Sequence, residues 1–356
     1  MFVSLQIGRG LAATAVAAFH LSIALGDRAF GGAGAPVFAE IVGRGYLGVD
    51  FFFVLSGFII LQAHHRDIGQ PHRVGRYVTR RFIRIYPIYW IYLTACIVGM
   101  ALVGSAHLRL SSPMDWLTPF SLVRFTPVEL PLAQAWTLFH EIVFYAVFTV
   151  LLFSRRIGFA VLGLWVIAIA LSFQYPTSDK AWFTSVALSA YNLNFIVGML
   201  AFAIVGRLSK AVSWVAVILG LALFGFSYRA DVGGTAGDFV RLAYAISFGA
   251  ILSGCAALER LRALRLPLWL GIVGDASYSI YLLHEHVENY SLRALMKIGV
   301  APAAAPLSVY LAVLAITVGG GCAAYVMLER PLLRRLRTHF DRPASSASEG
   351  VALQPK

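Results

Sequence analysis

The chain has 356 residues, of which 59% are hydrophobic and only 13% are charged. Soluble domains carry about 25% charged residues, so this composition excludes a soluble enzyme, a disordered protein and a disulfide scaffold. The formal net charge of +12 does not indicate nucleic-acid binding, because the basic residues lie between apolar segments. We therefore predict an all-α, polytopic integral membrane protein.

Ten apolar segments long enough to cross a bilayer follow one another along the chain. The first resembles a signal peptide in length, but Arg9 lies inside it rather than before it, so we interpret it as an uncleaved first span. The segments run approximately over Ile7–Leu25, Tyr46–Ala63, Ile85–Val103, Gln134–Phe153, Gly158–Phe173, Trp182–Val205, Val212–Ser227, Phe239–Ala257, Leu268–Val287 and Leu307–Leu328.

The basic residues alternate between the loops that join these segments. One set of loops and the tail hold 19 of the Lys and Arg residues, and the intervening loops hold nine. Because cytoplasmic loops are enriched in Lys and Arg, this alternation predicts about ten spans with both termini in the cytoplasm. We expect residues 1–340 to form one membrane domain, and the small, polar segment 341–356 to be a disordered cytoplasmic tail.

Ionisable residues inside the apolar segments mark the candidate site, because charge within a bilayer is costly. His20, Asp50 and Glu141 come from three different segments, and counting along each helix places all three roughly 7–11 Å below the outer boundary. His284 reaches a similar level in the ninth segment. This common depth predicts a general base, His20, with at least one of the two carboxylates beside its ring.

Three arginines predict a binding site for an anionic ligand on the cytoplasmic side. Arg9 precedes His20 by eleven residues, about 16 Å along one helix face. Arg81 and Arg84 share a face at the cytoplasmic end of the third segment and could clamp phosphates. The alternative for Arg81 and Arg84 is that they only determine topology.

Several other polar motifs have simpler explanations. The pair Ser56-Gly57 is more typical of close helix packing than of a nucleophile. Tyr278 and Tyr281 are compatible with core or interfacial packing. The stretch HEHVE, His284–Glu288, lacks metalloprotease spacing, and we expect no metal site in the protein.

Six sequence elements appear in an order typical of one membrane-protein family. They are Arg9–x10–His20, GYLGVDFFFVLSGFII at Gly45–Ile60, RFIRIYP at Arg81–Pro87, WTLFHEIVFY at Trp136–Tyr145, SYSIYLLH at Ser277–His284, and LERP at Leu328–Pro331. Together they resemble membrane acyltransferase family 3, the O-acyltransferases that modify bacterial surface polysaccharides.

The resemblance implies a multi-pass enzyme of the inner (plasma) membrane. Its donor would be acyl-CoA, most simply acetyl-CoA, with no bound cofactor. The acceptor would be a hydroxyl of a surface polysaccharide or its lipid-linked precursor, and polysaccharide-assembly proteins are possible partners. The implied roles are His20, Asp50 and Glu141 in catalysis; Arg9, Arg81 and Arg84 in acyl-CoA binding; and Trp136, Tyr278, Tyr281 and His284 in acceptor binding or support.

Two questions stay open at the level of the sequence. Direct attack of the acceptor hydroxyl and a covalent acyl-histidine relay use the same residues. A protein of another class, a proton-coupled secondary transporter of an anionic solute, would also place His20, Asp50 and Glu141 within the membrane.

Overall fold

The computed structural model describes residues 2–30, 32, 42–102, 109–173, 182–231, 237–302 and 305–340. Across these ranges the regular secondary structure is helical, with no strand. The predicted disordered tail, residues 341–356, lies outside the described residues.

Fourteen α-helices are numbered here in chain order. They are α1 Val3–Gly26, α2 Gly48–His64, α3 Val74–Leu102, α4 Pro113–Ser121, α5 Trp136–Phe153, α6 Arg155–Ser172, α7 Trp182–Ala187, α8 Tyr191–Val205, α9 Lys210–Ala230, α10 Asp238–Arg260, α11 Ile272–Asp275, α12 Ser277–Lys297, α13 Pro306–Ala324 and α14 Arg330–Phe340.

Nine helical segments of the described chain are long and apolar enough to cross a membrane. The predicted all-helical, polytopic fold is thereby confirmed, while the orientation of the termini stays a prediction. The difference from ten spans falls on the predicted segment Leu268–Val287. There the chain forms a short 3₁₀ turn, then α11, then α12, which is too polar to count as a span because of residues such as His284 and Glu285. Helix α12 nevertheless packs inside the bundle, against α1 and α13.

Helices α2 and α8 approach each other closely through a pair of glycines. A β carbon added to Gly57 would overlap the carbonyl oxygen of Phe195, and one added to Gly198 would overlap that of Val54. Small residues allow such contact between backbones in membrane helices. This confirms that Gly57 serves close helix packing, and it fixes the neighbouring Ser56 on α2.

The C-terminal helices form one continuous rod. A π-helical turn, Tyr325–Glu329, joins α13 to α14 without a break, so that Pro306–Phe340 is a single helical segment. Helix α14 packs against α3, and its Leu333 is only 7% exposed. Turns of π-helix are frequent at functional sites, and this one positions the fully buried Glu329 next to the cavity described below.

Candidate active site

A cavity of about 1210 Å³ lies between α1, α2, α3, α5, α12 and α14. Its wall contains eight arginines but only two carboxylates, those of Glu141 and Asp275. The positive excess favours a ligand with several negative charges, such as a molecule with several phosphates. The arginines are Arg9 on α1, Arg76, Arg80, Arg81 and Arg84 on α3, and Arg330, Arg334 and Arg337 on α14.

Arg9 is held at the cavity by a short relay of side chains. Its Nη1 donates to Oε1 of Gln6 at 3.1 Å, and Nε2 of Gln6 donates to Oδ1 of Asp275 at 2.5 Å. Gly274 lies directly against the backbone of Gln6, since a β carbon at Gly274 would overlap the Gln6 carbonyl oxygen. Arg9 is therefore oriented through a neutral amide rather than by a direct ion pair with Asp275.

Arg84 forms the principal ion pair of the cavity. Its Nη1 lies 2.8 Å from Oε1 of Glu329, and its guanidinium carbon lies 5.3 Å from the centre of the Tyr278 ring. The second oxygen of Glu329 accepts a 2.7 Å bond from Ser279, whose hydroxyl lies 2.8 Å from that of Tyr92. Because a buried carboxylate requires such partners, this network holds Arg84 in one position.

Arg81 and Glu141 both line the cavity, but they differ in how many hydrogen-bond partners their side chains have. The Arg81 guanidinium carbon lies 5.8 Å from the centres of both the Tyr77 and Tyr145 rings. Its buried Nε has no hydrogen-bond partner among the described residues. Glu141 accepts from the Ser56 hydroxyl at 3.0 Å and from the Tyr145 hydroxyl. Arg81 is thus the more available of the two for a ligand.

His20 belongs to a second cluster, which does not line the cavity. Its Nδ1 lies 3.0 Å from Oε1 of Glu285, and the two side chains are 33% and 28% exposed. The His284 ring centre lies 5.0 Å from that of His20, so the predicted common depth of the two histidines is confirmed. Nδ1 of His284 lies 2.7 Å from the Tyr281 carbonyl oxygen, which leaves its buried Nε2 without a partner in the described chain.

The same three residues form the candidate metal-ligand group of the described chain. The ligand atoms of His20, His284 and Glu285 all lie within 4.8 Å of one another. Two of these three side chains already bond to each other, which is the arrangement of an imidazole oriented by a carboxylate.

The predicted direct pairing of His20 with Asp50 or Glu141 is not formed among the described residues. Both oxygens of the fully buried Asp50 lie 3.1 Å from Nη1 of Arg241, and Oδ1 accepts a 2.9 Å bond from Asn194. Glu141 bonds to α2 and to its own helix instead, as described above. The counted depths place these residues at a level along the bundle but do not determine which neighbour each side chain faces.

Tyr281 connects the cavity with the histidine cluster. It lines the cavity, and its ring centre lies 5.8 Å from that of Phe52, another lining residue. On its other side, the Tyr281 ring centre lies 5.8 Å from that of His284. Ring contacts through Tyr281 and His284 therefore connect the cavity wall with His20.

The structure divides the predicted site residues into three groups. Trp136 lies outside both the cavity and the histidine cluster, and its ring packs 5.1 Å from that of Tyr191 within an aromatic cluster. Asp50 is likewise separate, paired with Arg241. The cavity wall contains Arg9, Arg81, Arg84, Glu141, Tyr278 and Tyr281, and the second cluster contains His20 and His284.

Sequence reasoning missed three charged residues that complete these networks. Glu285 follows His284 directly, and Glu329 lies within the LERP element, so both were inside motifs already noted. Arg241 lies close to the start of α10 and carried no signal except that Asp50 needed a cation.

The helical bundle, its arginine-lined cavity and the adjacent imidazole–carboxylate pair define a membrane protein that can bind a polyanion beside a basic group. Residues 2–326 match the family model described as "Acyltransferase domain", and the chain belongs to this family.

Two known proteins are similar in sequence. "Exopolysaccharide production protein ExoZ" of Rhizobium meliloti (strain 1021) is 34% identical over 310 residues, which cover 82% of this chain and 91% of that protein. "Protein 2 in picA locus" of Rhizobium radiobacter is 31% identical over 124 residues, or 29% of this chain and 64% of that protein. No solved structure matches the chain.

Proposed function

We propose that this acyltransferase moves an acyl group, acetyl in the simplest case, from acyl-CoA to a hydroxyl of an exopolysaccharide or its lipid-linked precursor in the plasma membrane. The observation that carries the proposal is the arginine-lined cavity, whose wall residue Tyr281 contacts His284, which in turn contacts His20 of the His20–Glu285 pair. CoA carries several phosphates at one end and the thioester at the other, which suits a cavity with this charge. The similarity to a protein of exopolysaccharide production supports the choice of acceptor.

Glu285 determines the form in which His20 acts. We assign the N–H to Nδ1 of His20, facing Glu285 at 3.0 Å, so that the lone pair of Nε2 is left to accept a proton. As the acceptor oxygen attacks the thioester carbonyl, its proton passes to Nε2 and a carbon–oxygen bond forms. The carbon–sulfur bond then breaks, and the imidazolium returns the proton to the departing CoA thiolate. Glu285 stabilises the imidazolium between these steps.

The acceptor reaches His20 from the side opposite the arginines. Both His20 and Glu285 keep about a third of their side-chain surface exposed, at 33% and 28%. A sugar hydroxyl can therefore approach this pair without passing through the cavity that takes the donor. In a cell, polysaccharide-assembly proteins would supply that acceptor.

His20→Asn tests the proposal, with His72→Asn as the matched control. His72 is an exposed histidine of the connection between α2 and α3. We expect His20→Asn to abolish CoA release from acetyl-CoA and glycan acetylation, while the protein still inserts and accumulates. His72→Asn should behave like the wild type. Near-normal acetylation in His20→Asn would refute the assigned base.

The transporter alternative receives less support from the contacts. It required three titratable groups, but Asp50 is paired with Arg241 and Asn194. Solute uptake into proteoliposomes without any cleavage of acetyl-CoA would favour transport over acyl transfer.

A further inference from the structure

The C-terminal helix α14 extends the cavity to the protein surface. Arg330, Arg334 and Arg337 follow one another at intervals of four and three residues, so they share one helix face. All three line the cavity, and all three are exposed. Leu333, at the edge of the same face, is buried and holds α14 against α3. The arginines therefore form the outer rim of the cavity on a docked helix.

Two of the deeper arginines are tied to internal partners. Arg84 is paired with the buried Glu329, and Arg9 is linked through Gln6 to Asp275. The two carboxylates of the cavity wall belong to α5 and α11, and none belongs to α14. At the outer end of the cavity, a bound ligand therefore contacts a helix face that contributes arginines and no carboxylate to the cavity wall.

The structure of the proposed donor indicates which of its chemical groups would lie at the outer end of the cavity. An acyl-CoA is a linear molecule, with the thioester at one end, a pyrophosphate in the middle and an adenosine 3′-phosphate at the other end. If the thioester enters at the Tyr281 end of the cavity, the end that leads towards His20, the adenosine 3′-phosphate is the group directed towards α14. Phe340 also lines the rim and is 57% exposed, so its ring offers a face on which an adenine can stack.

We propose that α14 recognises the 3′-phosphate of the donor nucleotide. This inference rests on the proposed function and makes it more specific. The protein would use free CoA thioesters in preference to thioesters on a phosphopantetheine arm that lacks the nucleotide, such as those on a carrier protein. Bidentate pairing suits arginine to a terminal phosphate.

Binding of CoA and 3′-dephospho-CoA to the purified full-length protein in nanodiscs, measured by calorimetry at low ionic strength, tests this inference. We expect the wild type to prefer CoA by about tenfold or more, because each charge-assisted hydrogen bond to a phosphate contributes on the order of tenfold in affinity. Arg334→Gln/Arg337→Gln should bind CoA as weakly as the wild type binds 3′-dephospho-CoA. The control is Arg335→Gln, an exposed arginine of α14 outside the cavity wall, which should keep the preference.

The outcomes separate this inference from the function on which it rests. Equal affinity of the wild type for the two nucleotides, or an unchanged preference in the double variant, would overturn the role of α14 but leave acyl-CoA as the donor. Absence of binding of either nucleotide would refute the acyl-CoA donor, and the role of α14 with it. Arg334→Lys/Arg337→Lys keeps both charges, so partial retention of the preference in this variant supports recognition of the phosphate over a loss of folding.

Discussion

Replacing Glu285 by glutamine should slow acyl transfer without weakening donor binding. The 3.0 Å contact with Nδ1 of His20 is a charge-assisted bond once the ring is protonated, but the two side chains are 33% and 28% exposed, so solvent screens it. Hydrogen bonds to charged groups contribute about 1.5–3 kcal/mol; because screening favours the lower end of this range, we expect a loss of roughly tenfold in kcat. The KM for acetyl-CoA should stay unchanged, because Glu285 does not line the cavity.

The assay is CoA release from acetyl-CoA by the purified enzyme, followed with a thiol reagent in the presence of an acceptor glycan. Glu288→Gln is the matched control, since it removes a buried acid one turn further along α12. That variant should keep kcat to within about threefold, far less than the loss expected from a bond to a charged group. An unchanged kcat in Glu285→Gln would refute the orienting role of Glu285, and a matching loss in Glu288→Gln would show that acids on α12 serve folding instead.

Two further predictions concern stability and donor binding. Asp50→Asn should lower the free energy of unfolding by about 3–5 kcal/mol, because it leaves the charge of Arg241 unpaired in the protein interior; a melting temperature equal to that of the wild type would contradict this. Arg81→Gln should weaken CoA binding with little effect on stability, because Nε of Arg81 has no hydrogen-bond partner in the part of the chain that the structure describes. In contrast, Arg84→Gln should also destabilise the fold, because its partner Glu329 is fully buried. Calorimetry and thermal unfolding of both variants test this difference, and equal stability of the two variants would refute it.

The sequence predicted the helices well wherever a span is apolar along its whole length. Nine of the predicted segments correspond to helices long and apolar enough to cross a membrane in the described structure. The predicted segment Leu268–Val287 overlaps α12 only in part, because α12 continues to Lys297 through polar residues, several of which neighbouring helices bury. His284 and Glu288, for example, are each only 1% exposed. Hydropathy measures the residue type and not the neighbours that a residue acquires on folding.

The sequence predicted the depth of the candidate site residues along the bundle, but not the direction in which each side chain points. A rise of about 1.5 Å per residue placed His20 and His284 at one level, and their rings are indeed in contact. The partner of His20 depends instead on how each helix is rotated about its axis, which is determined by contacts between helices. For that reason Glu285 rather than Asp50 faces His20, and Asp50 faces Arg241.

The π-helical turn Tyr325–Glu329 also controls the rotational phase of everything that follows it. A π turn accommodates one residue more than an α turn, and each residue of an α-helix adds about 100° of rotation. Deleting one residue within the turn would therefore rotate α14 by about that angle. Arg334 and Arg337 would leave the cavity rim, although neither residue had been changed. The same turn directs Glu329 towards Arg84. One π-helical turn therefore orients both the ion pair inside the cavity and the arginines at its rim.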